Sequence, residues 1–335
     1  MHGASGRVGG GGLLVVVAVL LTSCSSPGGG ASPAPGAVAW VATGASVTLP
    51  GTTITPVDLV TRTIEPGVDL GSLPSAMAFT EGDGALLAVT QGDDTLHEID
   101  PPNRAVVHSV TVGEEPDALA VAPGGAGGKG IALVANLHSN SVTPVDLGTW
   151  RAGRAIAVGT EPVAIAVTTS GGVATALVVD FGSNQVTPID LATLQAGTAI
   201  AVGPSPQTIA VAGGEALVGD FGDRTLTPID TATLQPGPAV ALPVNPTGIA
   251  VTASGTTAYI VGGAGVVPLT VSGLAVGTAI RLPDVAEAIA LNAAGTTAWV
   301  ALQGGDLIPV ALPSGVVGRP IHLGGRPSAV VIADH

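Results

Sequence analysis

A segment of about 40 residues recurs through most of the 335-residue chain, and a repeat of this length restricts the folds that the chain can adopt. The clearest copies share an apolar hexad that begins with proline, at residues 162–167, 206–211 and 246–251. Looser copies begin at Pro74, Pro116, Ala286 and Pro327. The seven copies are spaced by 40 to 46 residues, which indicates one structural unit repeated seven times.

Each unit contains four short runs of β-type residues, separated by Gly, Asn, Asp or Pro. In the unit that begins at Pro162 these runs are residues 164–168, 176–179, 185–189 and 198–202. The third run contains Pro188, which has no amide hydrogen to donate, so we expect a bulge or an unpaired side there. No window shows a helical period with helix caps. Four strands in 40 to 45 residues are typical of a propeller blade.

The two ends of the chain supply complementary parts of one further blade. The last copy, residues 327–333, contains only a first strand, whereas residues 39–42, 55–58 and 62–70 supply the other three. The sequence therefore predicts an all-β fold, a seven-bladed β-propeller of four-stranded blades over residues 38–335. The N- and C-terminal strands together close the last blade and remove an open edge.

The repeat resembles a known family. Residues 133–142 read Leu-Val-Ala-Asn-Leu-His-Ser-Asn-Ser-Val, and residues 176–190 follow a similar pattern that ends in Thr-Pro-Ile-Asp. These segments look like the YVTN-type β-propeller repeat, and the resemblance covers nearly all of residues 38–335. It implies the propeller architecture. It leaves the function open, because this fold serves in enzymes, cofactor proteins and binding platforms.

The amino terminus resembles a bacterial lipoprotein signal. Arg7 precedes an apolar run at residues 13–21, and Leu-Thr-Ser then leads to Cys24, the single cysteine of the chain. We predict a signal peptide over residues 1–23, lipidation of Cys24, and a flexible Ser/Pro/Gly tether over residues 24–37. The expected location is the cell membrane, lipid-anchored and facing outward. The alternative is an ordinary cleaved signal followed by a chance cysteine.

The charge balance excludes one class of partner. Ten Lys and Arg stand against 24 Asp and Glu, for a formal net charge of −14, so a nucleic acid would be repelled. Beyond the amino terminus the chain has no convincing apolar stretch long enough to span a membrane. A single cysteine allows no intrachain disulfide bond. We expect a monomer with the membrane, through its lipid anchor, and an envelope protein or small ligand as partners.

Twelve of the 24 acidic residues fall in the loops expected at one face of the ring, which we call the acidic face. It consists of the connections from fourth to first strands and from second to third strands. On it, Asn136, Asp180 and Asp220 occupy the same repeat position at the end of a second strand. Together with His138, Glu161 and Asp223 they form the candidate ligand or metal face, with Ca²⁺ or Mg²⁺ as a possible cofactor. The alternatives are that the acids serve solubility and that the repeated side chains cap their own turns.

Two functions remain open at this point. The first is a non-catalytic, extracytoplasmic binding platform, favoured because no cluster of reactive residues departs from the repeats. The second is a metal-dependent hydrolase or lyase of the lactonase type. In that case Glu161, Asp180 and Asp220 would hold the metal and His138 would carry the proton. No catalytic motif of such enzymes maps onto these residues one by one, and no zinc-binding spacing of histidines occurs.

Overall fold

The computed structural model describes residues 37–43, 51–80, 84–124 and 128–333. In these ranges the chain forms seven antiparallel sheets of four or five strands each, arranged in a ring, and no helix occurs. Accordingly, the described part offers no helix that could cross a membrane. The predicted fold class, a seven-bladed β-propeller, is confirmed.

We number the blades 1 to 7 in chain order, with the composite blade last. The innermost strands are Pro74–Phe79, Pro116–Ala122, Pro162–Ser170, Pro206–Ala212, Gly248–Val251, Ala286–Leu291 and Pro327–Ala333. The second strands are Leu86–Thr90, Ile131–Asn136, Val173–Asp180, Glu215–Asp220, Thr257–Gly262, Thr297–Leu302 and, in blade 7, Val38–Thr43. The third strands are Thr95–Asp100, Ser141–Asp146, Gln185–Asp190, Thr225–Asp230, Gly265–Thr270, Asp306–Ala311 and Thr53–Asp58.

The outermost strand is continuous only in blade 1, at Ala105–Thr111, among the described residues. In five blades it consists of two short pieces, and in blade 4 of one piece with an isolated bridge. The pieces are Arg151–Ala152 with Ile156–Ala157, Gln195–Ala196 with Ile200–Ala201, Val240–Ala241, Ala275–Val276 with Ile280–Arg281, Val316–Val317 with Ile321–His322, and Thr63–Ile64 with Val68–Asp69.

The ring closes as the two ends of the chain predict. Strand Val38–Thr43 pairs with Thr53–Asp58 on one side and with the C-terminal strand Pro327–Ala333 on the other. Both partners are antiparallel to it, and Val41 lies opposite Val330. The predicted signal peptide, residues 1–23, and the predicted tether, residues 24–37, lie outside the described residues except for Ala37.

The break in the outer strand corrects the single fourth run expected at residues 198–202 and 62–70. Its cause is the proline of the third strand. In blade 3 the amide of Gly197 donates to the carbonyl of Pro188 at 2.7 Å, between the two outer pieces. The same bond joins Gly153 to Pro144 and Gly277 to Pro268. The proline ring has no amide hydrogen to offer an outer partner, so regular pairing stops there.

Blade 1 lacks this proline, and its outer strand shows by comparison how the proline affects strand pairing. His97 and Glu98 stand where the other third strands carry Thr-Pro or a similar pair. Glu98 lies opposite His108, and the outer strand continues with one bulge from Ala105 to Thr111. The comparison indicates that the proline, rather than the curvature of the blade, interrupts the outer strand.

Adjacent blades pack face to face through seven apolar clusters built mainly from Ala, Val, Leu and Ile. Alternation along each strand sends successive side chains to opposite neighbours. Trp40 and Trp299 are both buried and fill matching positions in two of these clusters. Small side chains keep the blades close, which suits a chain with so few aromatic residues.

We expect Gly277→Ala to destabilise the protein by about 1–3 kcal/mol, since overpacking a tight contact has this cost. A Cβ atom at residue 277 would lie 2.8 Å from Cγ of Pro268. The matched control is Gly197→Ala at the equivalent position, where the corresponding distance to Pro188 is 3.3 Å. Urea unfolding of both variants checks this; equal losses would contradict the steric explanation.

Candidate functional site

The loops of the acidic face are tied together from blade to blade. The side-chain oxygens of Asp94, Asn140 and Asn184, which all have left-handed backbones, each accept a bond from the backbone amide that precedes the next inner strand. For Asn140 this donor is the amide of Glu161, at 2.8 Å. Asn and Asp suit this position because they tolerate a positive φ. The turns of one blade thus fix the entry to the next, and the face is rigid.

Asn136, Asp180 and Asp220 end the second strands of blades 2, 3 and 4, and all are fully buried. Asp180 accepts a bond from the hydroxyl of Thr187, and Asp220 from that of Thr227, each at 2.6 Å. Each side chain therefore bridges its own second and third strands. The structure places the three side chains in three separate blades, each with its own partners.

Close glycines complete this arrangement. The amide of Gly113 donates to Oδ1 of Asn136 at 3.0 Å. A Cβ atom at Gly159 would lie 2.6 Å from Cγ of Asp180, and the equivalent contact joins Gly203 and Asp220. Only glycine allows the connection into each blade to approach the buried side chain so closely. We call these three sites the strand latches.

Burial raises the pKa of Asp180 and of Asp220 to about 6. The hydrogen bonds from their threonine partners lower these pKa values but do not offset the effect of burial. Oδ1 of each carboxyl group has no hydrogen-bond partner of good geometry, although the Gly159 amide lies near enough to Asp180 to favour its ionised form. A buried carboxylate with one free oxygen is costly, which explains the direction of the shift.

The remaining predicted site residues lie in exposed turns. His138 is paired through Nδ1 with Oε2 of Glu115, the residue before inner strand Pro116–Ala122. Asp223 accepts a bond from the hydroxyl of Thr225 at 2.7 Å, and Glu161 is exposed. Among the described residues no group of three or more His, Cys, Asp or Glu side chains is placed to hold a metal ion. The candidate metal face stays a prediction.

Asp117 was not among the predicted site residues, and the structure places it at the mouth of the central channel. Asp117 is only 1% exposed and follows the proline that starts the inner strand of blade 2. Its Oδ1 accepts a bond from Nε2 of Gln91 in blade 1 at 2.9 Å, and its Oδ2 has no partner. Burial, and then the nearby Glu115, raise the pKa of Asp117 to about 7.

Asp117 belongs to a belt of seven residues, one from each blade, that follow the start of the inner strand or its equivalent. The members of this channel belt are Ser75, Asp117, Val163, Gln207, Thr247, Glu287 and Ser328. Several reach the next blade: the hydroxyl of Ser75 donates to the carbonyl of Pro116 at 2.6 Å, and that of Thr247 to Ala286 at 3.2 Å. The belt thus runs around the channel at the acidic face.

The belt contains a second acidic residue, whose charge is balanced by an arginine. Glu287 of blade 6 accepts a bond from Arg326 at 2.6 Å, and Arg326 immediately precedes the inner strand of blade 7. At the position equivalent to Arg326, one blade after Asp117, the chain has Glu161. The sequence does contain a signal for Asp117. It is an acidic residue at a belt position, and no basic residue stands just before the inner strand of the following blade.

A polar cluster also distinguishes the outer part of blade 1. His97 is buried and bonds to the hydroxyls of Thr90 and Ser109 at 3.1 and 2.9 Å. Burial lowers the pKa of His97. His108 pairs with the buried Glu98 at 2.6 Å, and its ring stacks on Trp150 of blade 2 with centroids 5.0 Å apart. The bond between Thr90 and His97 stands where blades 2, 3 and 4 have their strand latches.

Two surface cavities open beside the outer strands. One of about 570 Å³ is lined by Pro188, Gln195 and Pro236, between the outer strands of blades 3 and 4. Another of about 430 Å³ is lined by Thr111, Asn140 and Ala152, on the outer side of blade 2. None of the predicted site residues lines either cavity. Both open where the outer strands are interrupted or end.

Comparison with known proteins supports the architecture. No family model matches the chain, and no curated protein matches it. A functionally unknown protein from Desulfotomaculum acetoxidans is similar in structure, with a TM-score of 0.76 at 18% identity, over 88% of this chain and 98% of that one. A putative 6-phosphogluconolactonase from Bacteroides fragilis has a TM-score of 0.71 at 16% identity, over 91% of this chain and all of that one. They share the propeller fold.

Hydrazine synthase from Kuenenia stuttgartiensis is also similar, with a TM-score of 0.67 at 17% identity, over 78% of this chain and 95% of that one. At these identities the likeness concerns the fold alone. A putative lactonase and a hydrazine synthase thus have the same fold as this chain, so the fold by itself does not indicate an activity. The function must therefore be argued from the acidic face itself.

The acidic face is suited to attracting cations. It presents fixed loops, an excess of carboxylates and three buried carboxyl groups without a full set of partners. Such a surface attracts cations, because like charges around a low-dielectric recess reinforce one another.

Proposed function

We propose that the protein is a lipid-anchored, extracytoplasmic β-propeller of the YVTN-repeat type that acts as a binding platform. Its acidic face would bind an envelope protein or a small ligand. The observation that carries this proposal is the rigid acidic face around the channel mouth, where blade-to-blade bonds such as Asp94 to Glu115 hold the loops in place. A rigid surface binds with little loss of conformational entropy.

The anchor rests on the sequence features at Cys24 and is tested separately. We expect metabolic labelling with an alkyne fatty acid to modify the full-length protein and to place it in the membrane fraction. Cys24→Ser should abolish both results, whereas Ser26→Ala should change neither. Membrane-bound, labelled Cys24→Ser protein would refute the anchor.

The binding face is tested by photo-crosslinking in intact cells. A photoreactive amino acid at Glu114, which is exposed on the acidic face, should give a discrete adduct. The same amino acid at Thr193, in an exposed turn at the opposite end of blade 3, should give none. Adducts from Thr193 alone, or equal adducts from both positions, would contradict the proposed face.

A second candidate function is a metal-dependent hydrolase or lyase of the lactonase type. The observation that favours it is the presence of three buried carboxyl groups, Asp117, Asp180 and Asp220, with raised pKa values near one face. The fold similarity to the putative 6-phosphogluconolactonase agrees with it. We expect no turnover of 6-phosphogluconolactone with Ca²⁺, Mg²⁺ or Mn²⁺; turnover lost in Asp180→Asn would favour the enzyme instead.

A further inference from the structure

The two most exposed large hydrophobic side chains among the described residues belong to adjacent blades. Val60 is 72% exposed and lies in the connection from the third to the outer strand of blade 7. Val316 is 63% exposed and begins the outer strand of blade 6, just after the equivalent connection. Both connections are at the face of the ring opposite the acidic face. Single exposed apolar side chains are common, whereas neighbouring ones that are accompanied by basic residues are typical of a contact surface.

An arginine follows each of these valines. The guanidinium of Arg62 donates to the backbone carbonyl of Arg319 at 2.5 Å, which joins the two connections directly. It also lies over the ring of Trp299, with 6.0 Å between Cζ and the ring centroid. Both arginines are exposed, and within the described residues neither has an ion-pair partner. We call Val60, Arg62, Val316 and Arg319 the turn patch.

The acidic residues beside the turn patch are engaged by other groups. Oδ1 of Asp58 accepts bonds from the backbone amides of Val60 and Thr61, both at 2.8 Å. These bonds, that from Thr61 most strongly, hold the pKa of Asp58 below its usual value. Glu65, which follows the first outer piece of blade 7, is paired with Arg104 of blade 1. The exposed arginines of the turn patch are therefore left to attract an anionic partner.

The predicted tether joins the ring beside the turn patch. The carbonyl of Ala37, the last residue of this tether, accepts a bond from the amide of Leu59 at 3.0 Å, and Leu59 directly precedes Val60. The preceding segment from the predicted lipidation site, Cys24, comprises the 13 residues 24–36. A chain of this length spans at most about 45 Å. A lipid on Cys24 would therefore bring a membrane within reach of the turn patch.

We propose that the turn patch contacts the membrane that holds the anchor, with its valines at the level of the headgroups and its arginines on the phosphates of anionic lipids. This inference rests on the proposed lipid anchor and states how the platform is oriented. Guanidinium groups suit phosphate oxygens because they offer several donors in a planar fork. Apolar side chains add binding strength at the boundary between headgroups and acyl chains. The acidic face then points away from the anionic lipids, which would repel it.

A bilayer suits the turn patch better than a partner protein. The anchor brings the bilayer to this side of the ring, whereas a protein would have to find the patch by diffusion. Neither of the two surface cavities is lined by the turn patch, so the patch offers no recess for an anchoring side chain of a protein. Protruding apolar side chains beside arginines need no matching shape in a fluid headgroup layer.

Quenching of a fluorescent dye by nitroxide-labelled lipid tests this contact. The full-length protein is purified with its anchor, reconstituted in vesicles of phosphatidylcholine and phosphatidylglycerol, and labelled with the NBD dye at one introduced cysteine, because a lipidated Cys24 has no free thiol. We expect quenching at Val60→Cys and Val316→Cys to be at least threefold stronger than at Glu114→Cys on the acidic face. The matched control is Val173→Cys, 54% exposed at the opposite face in blade 3, which should be quenched less than half as much as residue 60.

Two pairs of variants test which groups make the contact. Val60→Asp should at least halve the quenching of a dye at residue 316, whereas Val173→Asp should leave it unchanged. Arg319→Gln should also reduce this quenching, whereas Arg281→Gln, the same change of charge at an exposed position of blade 5, should not. Vesicles of phosphatidylcholine alone should reproduce the effect of Arg319→Gln. All four positions are exposed, so we expect native melting temperatures.

The inference is overturned if the dye at residues 60 and 316 is quenched no more than at residue 114, or if Val60→Asp and Arg319→Gln leave the quenching unchanged. A dye at residue 60 that is shielded from water but not quenched by lipid would indicate a protein on the turn patch, and would also overturn it. Dye uptake by the native protein would reveal a free Cys24 and remove the anchor together with this inference. Crosslinking from Glu114 tests the binding face independently of these measurements.

Discussion

Deletion of the C-terminal strand, Pro327–Ala333, is expected to leave the protein largely unfolded at room temperature. This strand supplies the inner edge of blade 7 and buries Val330 fully and Val331 almost fully. Burying one valine contributes roughly 1.5–3 kcal/mol, and the antiparallel ladder to Val38–Thr43 is lost as well. The combined loss of about 5 kcal/mol or more equals the whole stability of many domains.

Far-ultraviolet circular dichroism and urea unfolding measure this effect. The control chain ends at Ala333 and retains the strand, so it should unfold like the native protein. Val330→Asp, which places a charge at a fully buried position, should reproduce much of the loss. A truncated chain that unfolds cooperatively at the native midpoint would show that ring closure does not determine stability.

The fold could be predicted because the repeated segment specifies it. Seven similar hexads and two complementary ends specify the number of blades and the closure without reference to any contact. The unpaired side of the third strand at its proline was expected, but the division of the outer strand into two pieces was not, because it depends on how Gly197 meets Pro188 across the sheet. The sequence does contain the necessary signal, since blade 1 has Glu98 in place of that proline and keeps a continuous outer strand.

The candidate site was harder to predict, because it depends on which side chains are buried and on which hydrogen-bond partners they have in the folded protein. Asp180 and Asp220 stand at a repeated position, and the structure gives each a threonine partner within its own blade. Asp117 occupies a position where blade 3 has Val163, and the sequence alone does not show that it is buried. Its partner Gln91 comes from the preceding blade, so only the assembled ring brings the two together.

The second large effect expected is a loss of stability as the pH rises from about 4 to 7. Burial raises the pKa of Asp117 from 3.8 to about 7, so in this range the folded protein keeps a proton that the unfolded chain has lost. The unfolded state binds fewer protons, and stability therefore falls with increasing pH. For Asp117 the fall is about 4 kcal/mol, at roughly 1.4 kcal/mol for each pKa unit.

Other titratable groups also change the stability in this pH range. Asp180 and Asp220, with pKa values of about 6, add a fall of the same sign that is complete slightly earlier. His97 has the opposite sign, because its lowered pKa means that the folded protein binds fewer protons than the unfolded chain below about pH 6.5. The turn carboxylates Asp146 and Asp190, whose pKa values are lowered by bonds from threonine amides, matter only below about pH 4.

Single substitutions separate these contributions. Asp117→Asn removes the titrating group, so its free energy of unfolding relative to the native protein should rise from pH 4.5 to 8.5 by roughly 3 kcal/mol. The new amide adds a cost that does not depend on pH, so the slope is the quantity to measure. Glu114→Gln is the control and should follow the native curve. Parallel curves for Asp117→Asn and the native protein would contradict the raised pKa.

The strand latches provide an internal comparison. Blade 2 carries Asn136 where blades 3 and 4 carry Asp180 and Asp220, and its amide donates to the hydroxyl of Thr143 at 2.9 Å. Asp180→Asn should therefore preserve the fold and gain stability at pH 8.5, whereas Asp180→Ala should lose stability at every pH, because its threonine and glycine partners lose their acceptor. If Asn were as damaging as Ala at pH 8.5, the carboxylate charge itself would be required, and the metal-binding hypothesis would gain support over a purely structural latch.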